Sequence, residues 1–308
     1  MTPAALAVHF ALLFLAPPFL LGVIGRVKAW FAGRKGPPLL QTYFDLARLL
    51  RKGAVYSKTT TWVFRAGPTV ALAAILAAGT VTPLASSASP LGFSGDVVAF
   101  AYLLGVARFF TMAAALDTGS SFEGMGASRE AAFSALAEPA LFLSLAIICV
   151  PAGRASFEPA WRALPWASWG SAHPAYLAAA VALFLVLLAE NSRIPVDDPN
   201  THLELTMVHE VMVLDHSGPD LAFILYGSAV KLFLMSGLLV HLLLPIPADA
   251  GWRALLFFGG GQLGVALLVG VVESAMARLR LVRVPQFLVG ASVIAAIGLA
   301  AMFYGGVH

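Results

Sequence analysis

The sequence predicts an all-α integral membrane protein with eight transmembrane helices, an amphipathic helix on the cytoplasmic side and a long acidic loop between helices 5 and 6. The prediction depends on composition and on the length of the apolar runs. Of the 308 residues, 59% are apolar and 11% are charged, and the mean hydropathy is +0.85. Several apolar runs approach the roughly 20 residues that cross a bilayer as a helix. Residues 1–308 therefore form a single polytopic membrane domain.

Charge and cysteine content exclude several classes of protein. The formal charge of +3 comes from few basic residues, so a nucleic-acid partner is not expected. The one cysteine, Cys149, cannot by itself hold an iron–sulfur cluster or a structural zinc ion, and it offers no disulfide framework. The first 24 residues lack a basic n-region and a cleavage site, which indicates an anchor rather than a signal peptide.

Eight apolar segments are candidates for the transmembrane helices, and an even number places both termini on one side. The segments are approximately 3–24, 66–85, 96–116, 131–151, 174–190, 221–244, 253–272 and 286–304. Fourteen of the nineteen basic residues fall in the first, third, fifth and seventh connections, and three fall in the others. The positive-inside rule therefore places connections 25–65, 117–130, 190–220 and 273–285 in the cytoplasm and both termini outside.

The first connection contains the predicted amphipathic helix, which runs from Gly36-Pro37-Pro38 to Gly53. Proline at the start and glycine after the end suit a helix. One face carries Leu39, Tyr43, Leu46, Ala47 and Leu50, and the other carries Gln41, Asp45, Arg48 and Lys52. An interfacial anchor and a docking element for a partner are equally favoured.

The third connection is rich in glycine, at positions 119, 124 and 126. It lacks the G-K-[ST] ending and the preceding strand of a phosphate-binding loop, so no nucleotide site is expected. A flexible loop, with Ser128 capping the next helix, is predicted instead.

The fifth connection, 190–218, is the candidate functional loop. It holds six of the sixteen acids, Arg193 and three of the seven histidines. Proline after Ile194 and Asp198 predicts a rigid, extended start, and Asn200–His216 is expected to be a helix that ends at Ser217-Gly218-Pro219. The histidines recur every seven residues, too far apart for one metal ion, so no metal site is expected. An interface or a proton entrance fits this composition.

Five ionisable residues lie inside or at the ends of the predicted spans. A charge at the bilayer centre costs about 2.5–3.5 kcal/mol, so such residues pair with one another or line a wet cavity. One hypothesis is a proton or charge relay, and the alternative is a buried ion pair, such as Arg108 with Glu138, that only holds helices together. The candidates for the relay are Arg108, Glu138, Glu190, Lys231 and Glu273.

The fifth connection contains an extended sequence motif. It reads Glu190-Asn-x-Arg193-x-Pro195-x-Asp197-x-Pro199, followed by Glu204-Leu205 and by an acid before x-Ser217-Gly218. This motif resembles that of a known family, the membrane subunit shared by respiratory complex I, where it is subunit 1, and the group 4 energy-converting [NiFe] hydrogenases. Three further segments agree with the family: Arg34-Lys-Gly-Pro-Pro-Leu-Leu-Gln41, Gly126-Ala-Ser-Arg129-Glu and Glu138-Pro139.

The branch of the family that the chain resembles is the formate hydrogenlyase and hydrogenase-4 type. Quinone-reducing relatives carry acids where this chain has Asn200 and His202, and they lack the His209-Glu210 pair at this spacing. The run that begins Glu273-Ser-x-Met-Ala-Arg-Leu-Arg also resembles the hydrogenase type. The resemblance therefore argues against quinone binding.

The resemblance implies a subunit without a redox centre or a bound cofactor, in the cytoplasmic (inner) membrane of a bacterium or archaeon. Its cytoplasmic loops would hold a [NiFe] hydrogenase large subunit and an iron–sulfur small subunit, which carry the NiFe centre and the clusters, and an antiporter-like membrane subunit would lie alongside it. The expected interface residues are Arg34, Arg129, Glu130, Arg193, Asp197, Asp198, His202, Glu204, His209, Glu210, Asp215, Arg278 and Arg280.

Three other functions stay open at this point. A quinone-chamber subunit of a complex I-like dehydrogenase shares the same motifs. A stand-alone ion transporter is disfavoured because no internal repeat is visible. A purely structural membrane anchor would not require the charged residues inside the spans.

Overall fold

The computed structural model describes residues 2–164, 173–197, 208–247 and 251–305. Every regular element in these ranges is a helix, so the predicted all-α class is confirmed. The α-helices of the described ranges are α1 (Pro3–Phe31), α2 (Gln41–Leu50), α3 (Trp62–Val81), α4 (Asp96–Asp117), α5 (Ser121–Cys149), α6 (Phe157–Ala163), α7 (His173–Glu190), α8 (Gly218–Leu243), α9 (Trp252–Ala275) and α10 (Val284–Gly305).

Seven helices of the described residues are long and apolar enough to cross a membrane, namely α1, α3, α4, α5, α8, α9 and α10. The remaining predicted span corresponds to α7, whose apolar stretch Pro174–Glu190 is shorter. The count of eight spans therefore stays a prediction. The central helix is α8, since 67% of its apolar window is buried, a larger share than in any other candidate span.

The amphipathic helix α2 is shorter than the predicted helix, which runs from Gly36-Pro37-Pro38 to Gly53. It begins at Gln41 and ends at Leu50. It lies against α1, where the Tyr43 hydroxyl donates to the carbonyl oxygen of Leu15. The adjoining α1 contains Pro17 and Pro18, and Pro18 has no N–H to donate to the carbonyl of Phe14 one turn earlier. The Tyr226 hydroxyl of α8 donates to that oxygen at 3.0 Å.

The third connection is mostly helix, which corrects the predicted flexible loop. The helix α5 begins at Ser121, and Ser128 lies inside it with its hydroxyl donating to the Met125 carbonyl at 2.9 Å. Tertiary packing stabilises this first part of α5. A side chain at Gly126 would collide with Val211 and Met212, so the segment 208–213 packs directly on the helix backbone.

The fifth connection also differs from the prediction. Instead of an extended start, the chain turns at Arg193, whose carbonyl accepts from the N–H groups of Val196 and Asp197 at 2.9 and 3.2 Å. Of the predicted helix over Asn200–His216, the described part contains only a 3₁₀-helix, Glu210–Val213, and residues 198–207 lie outside the described ranges. Gly218 does not end a helix. It begins α8, with φ at 56°.

The first, third, fifth and seventh connections meet at one end of the bundle, which we call the loop end. The backbone N–H of Val55 donates to the Ser217 hydroxyl at 3.0 Å, that of Thr61 to the Asp117 carboxylate at 2.6 Å, and that of Leu279 to the Pro195 carbonyl at 2.8 Å. The opposite end, formed by residues 82–95, 150–164 and 244–247, is the far end.

Candidate functional site

Arg108, in α4, is the centre of a buried charge cluster. Its Nη2 atom lies 2.9 and 3.0 Å from the two carboxylate oxygens of Glu190, at the end of α7. Its Nη1 donates to Glu138 of α5 at 2.8 Å, and its Nε is 3.9 Å from a carboxylate oxygen of Glu130. The guanidinium group therefore joins carboxylates from two neighbouring helices, and only 8% of its side chain is exposed.

Lys231 brings the central helix α8 into the same cluster. Its Nζ donates to the carboxylate of Glu190 and to the backbone carbonyl of Glu190, both at 2.7 Å. The last carbonyls of a helix lack intrahelical donors, so the lysine fills an acceptor that α7 leaves open. With every group ionised, two cations face the carboxylates of Glu130, Glu138 and Glu190, which gives the cluster a formal charge of −1. The cluster therefore has capacity for one additional proton.

A second cluster lies nearer the loop end, around Glu273 of α9. Its fully buried carboxylate pairs with Lys28 of α1 at 2.8 Å and with Arg193 at 3.3 Å. These contacts link the first, fifth and seventh connections through one carboxylate.

Asp197 closes the acidic loop on itself. One carboxylate oxygen pairs with Arg278 at 2.6 Å, and the other accepts from the N–H groups of Val208 and His209 at 3.1 and 3.2 Å. Hydrogen bonds to an ionised carboxylate are stronger than those between neutral groups, so these three donors hold residues 208 and 209 and Arg278 close to Asp197. Asp197 thus fixes the described part of the loop against α10 and its preceding segment.

A cavity of about 290 Å³ lies between α3, α4, α8 and the acidic loop. The lining includes the apolar residues Leu72, Ile75 and Leu225 and the polar residues Arg108, Glu130, Glu190, Arg193, His209, Glu210 and Lys231. A volume of about 10–15 Å³ by this measure holds one water, so this cavity has room for several. Apolar side chains and the buried charges therefore border the same cavity.

A much smaller cavity, of about 10 Å³, also borders Glu130 and Glu190. Ser134, Ser192 and Asp197 complete its polar lining. Its size is near that of a single water. One water there would connect Asp197 with the charge cluster.

Of the described loop histidines, His216 is buried and His209 is half-buried at the edge of the larger cavity. Burial, together with the nearby Lys231 charge, lowers the pKa of His209 to about 4, although the Asp197 carboxylate acts in the opposite direction. Burial also lowers the pKa of His216, whose ring stacks on Phe64 with centroids 4.0 Å apart. Both imidazoles are therefore neutral at pH 7.

The structure places the candidate residues from the sequence in different surroundings. The five relay candidates all belong to the two charge clusters, as do Glu130 and Arg193. Asp197 pairs with Arg278. Arg34 and Arg280 are exposed, the Arg129 guanidinium donates to the Met125 sulfur at 3.0 Å, and Glu210 lines the cavity. The backbone N–H of Asp215 donates to Glu123. Asp198, His202 and Glu204 lie outside the described residues.

Two residues of the site were missed from the sequence. Lys28 was counted only as a basic residue of the first connection, although it pairs with Glu273. Glu123 lies in the glycine- and serine-rich stretch assigned to a loop, yet it is buried, with 1% exposed, and accepts from Asp215. The described residues contain no group of three or more histidines, cysteines or acids able to hold a metal ion.

Comparison with known proteins establishes the family. The sequence model of the NADH dehydrogenase family matches residues 4–304. The chain belongs to this family. Within the NADH dehydrogenase family, formate hydrogenlyase subunit 4 of Escherichia coli (strain K12) is 30% identical over 286 residues, 89% of this chain and 90% of that protein. Hydrogenase-4 component C of the same strain is 35% identical over 243 residues, 78% of this chain and 75% of that protein. The resemblance derived from the motifs is thereby confirmed.

One more distant sequence relative and one solved structure are also similar to this chain. An NADH-quinone oxidoreductase subunit of Anaplasma phagocytophilum (strain HZ) is 27% identical over 251 residues, 74% of this chain and 70% of that protein. A chain in the structure of the membrane-bound sulfane sulfur reductase, an archaeal respiratory membrane complex, superposes with a TM-score of 0.82 at 22% identity. The superposition covers 96% of this chain and 97% of that one, and it shows the common fold.

Proposed function

We propose that this chain is the membrane-anchoring and charge-coupling subunit of an energy-converting [NiFe] hydrogenase complex of the formate hydrogenlyase type. The observation that carries the proposal is the link from Lys231 through Glu190 and Arg108 to Glu138, which connects four helices inside the bundle. The homology of this chain to formate hydrogenlyase subunit 4 and hydrogenase-4 component C supports the same role.

The cluster supports lateral movement of a proton or of charge. Protons would reach Glu190 and Lys231 from the cavity, and the formal charge of −1 lets one carboxylate hold a proton while the others stay paired. Glu138 is the outermost member, with 48% of its side chain exposed on the outer face of α5. A carboxylate is costly against lipid, so an adjoining membrane subunit of the antiporter type would cover it.

The loop end supports docking of the hydrophilic subunits. It presents the exposed bases Arg34 and Arg280 beside the acidic loop, and internal pairs at Glu273 and Asp197 fix the loop in place. In the proposed complex this end faces the cytoplasm, both termini lie outside, and the NiFe centre and iron–sulfur clusters belong to the docked large and small subunits. This chain would contribute no redox centre.

The first experiment is to isolate the chain from native membranes in mild detergent and identify the proteins that accompany it. Co-purification with a [NiFe] large subunit, an iron–sulfur small subunit and hydrogen activity is the expected result. A chain that emerges alone would contradict the proposal and favour a stand-alone transporter, for which ion flux through the reconstituted chain is the test.

The coupling role is tested in that complex with Glu138→Gln and Lys231→Ala. We expect proton movement per hydrogen turned over to fall in both variants, because the relay loses a titratable or cationic member. Turnover and coupling that both remain at the wild-type level would leave only a structural anchor.

The cavity supports a second candidate, a quinone-chamber subunit, because apolar and polar side chains line it together, as an amphiphile would require. A quinone photolabel that is displaced by free quinone and attaches near Arg34, Glu204 or Arg278 would favour this function. Labelling that free quinone does not displace would count against it.

A further inference from the structure

His241 lies in α8 ten residues beyond Lys231, on the far-end side of the charge cluster, and only 4% of it is exposed. Its Nδ1 lies 3.0 Å from the carbonyl oxygen of Gly237, and its Nε2 lies 3.2 Å from the carbonyl oxygen of Ser86. Carbonyl oxygens only accept hydrogen bonds. A neutral imidazole has one N–H, so it can donate to only one of them and turns a lone pair toward the other. Both contacts become hydrogen bonds only when the ring carries a second proton.

Two aromatic rings flank the imidazole. The ring centroid of Trp161 lies 5.2 Å away and that of Phe258 lies 5.6 Å away. Aromatic faces attract a cation within about 6 Å of the centroid. The two carbonyl acceptors and the two aromatic rings favour the protonated ring, and they act against the cost of burying its charge.

Polar residues of the connection 82–95 lie between His241 and the surface of the far end. The Ser86 carbonyl contacts the ring, the Ser86 hydroxyl donates to the Ala88 carbonyl at 2.8 Å, and the hydroxyl of the next residue, Ser87, accepts from Nε of Arg162 at 3.4 Å. The Arg162 side chain is 58% exposed and pairs with Glu158 at 2.7 Å. Two buried serines, adjacent in sequence, therefore lie between His241 and the exposed Arg162.

One turn earlier in α8 the polar groups are uncharged. The Ser236 hydroxyl donates to Gln262 at 2.5 Å, and the Gln262 amide donates to the Phe233 carbonyl at 3.2 Å. The elements packed around the ring carry these charged groups: Arg162 and Glu158 on α6, Asp96 at the start of α4, Arg253 and Glu273 on α9, and Asp220 and Lys231 on α8 itself. Among the described residues no carboxylate pairs with the imidazole, so a proton gained there adds a net charge.

We propose that His241 is a proton-binding site that is reached from the far end through Ser86, Ser87 and Arg162. The site is separate from the charge cluster, which opens toward the loop end. It does not depend on the proposed function, because it follows from the two carbonyl contacts, the aromatic pair and the polar residues between the ring and the surface.

The test is nitrogen NMR of the full-length chain in its purified complex, labelled with ¹⁵N-histidine and ¹³C-tryptophan and held in lipid nanodiscs. Histidines change charge between about pH 5 and 8. As the pH rises through this range, we expect the imidazole that contacts a tryptophan ring to change from two protonated nitrogens to one. His241→Gln should remove this signal. A ring that keeps one protonation state at every pH would overturn the proposal.

The tryptophan contact keeps this test valid even if His241→Gln fails to assemble, since Trp161 is the only tryptophan ring packed on a histidine among the described residues. The direction of access is tested by deuterium exchange at the ring nitrogens. We expect Ser87→Val to slow the exchange severalfold and Ser236→Ala to leave it unchanged. Exchange slowed only by Ser236→Ala would place the access on the Ser236 side and refute the far-end route.

Discussion

Lys231 and Glu190 form a double contact, since Nζ of the lysine lies 2.7 Å from both the carboxylate and the backbone carbonyl oxygen of the glutamate. One ammonium group thus donates to the last backbone carbonyl of α7 and also neutralises the carboxylate of Glu190. Because the same carboxylate also accepts from Arg108, Glu190 determines the relative position of α4, α7 and α8.

Glu190→Gln should therefore be strongly destabilising. The substitution removes the carboxylate that pairs with Lys231 and accepts from Arg108, and breaking a buried ion pair in this way costs about 3–5 kcal/mol. The thermal unfolding midpoint of the purified complex measures the loss. Glu158→Gln is the matched control, because its pair with Arg162 is exposed and such pairs contribute about 0–1 kcal/mol. Equal midpoints for the two variants would refute the assigned importance of Glu190.

Gly126→Ala should destabilise the contact between α5 and the segment 208–213. The added methyl group would lie 2.9 Å from Met212 and 3.0 Å from the Val208 carbonyl oxygen, and overpacking of this kind costs about 1–3 kcal/mol. Gly124→Ala is the control on the same helix, because its new methyl group has no atom within 4 Å. There we expect a gain of about 0.5–1 kcal/mol from helix propensity. Both variants are compared by thermal unfolding, and a stabilised Gly126→Ala would contradict the close packing.

Stability should rise with pH between about 4 and 6.5 through His209. Its pKa is lowered from 6.5 to about 4 in the folded chain, so in this range the unfolded chain binds the additional proton. As the pH rises through this range, the free energy of unfolding therefore increases by up to about 1.4 kcal/mol per pH unit. The same contribution from His209 is lost as the pH falls. His209→Gln should flatten the pH dependence of the unfolding midpoint. An unchanged slope would show that His209 is not protected in the folded state.

Asp197→Ala should loosen the acidic loop without unfolding the bundle. The N–H groups of Val208 and His209 lose their acceptor, and Arg278 loses its ion pair with Asp197. We expect faster hydrogen exchange at residues 208–213, measured by mass spectrometry, with the transmembrane helices unchanged. Asp45→Ala, which removes an exposed pair with Arg48, should leave that exchange at its wild-type rate.

The sequence predicted the positions of the seven long apolar helices and the charged residues that lie among them, because hydropathy and the cost of charge in lipid act on each segment separately. The eighth span and the relay role of the charged residues stay predictions. It predicted the loop end poorly. Ser128 and the glycines of residues 119–126 have local preferences for caps and loops, but packing against Val211 and Met212 makes this segment helical. The partnership of Lys28 with Glu273 joins residues 245 positions apart, and no local pattern shows which distant carboxylate a lysine meets.

The proline pair in α1 has a consequence for biogenesis. The carbonyl of Phe14 loses its helical donor to Pro18, and its replacement, the Tyr226 hydroxyl, lies 212 residues later in the chain. In hydrocarbon an unsatisfied carbonyl is costly. Because α1 is synthesised before α8, it enters the bilayer with an unmet acceptor, and it reaches its final state only after α8 has been inserted beside it.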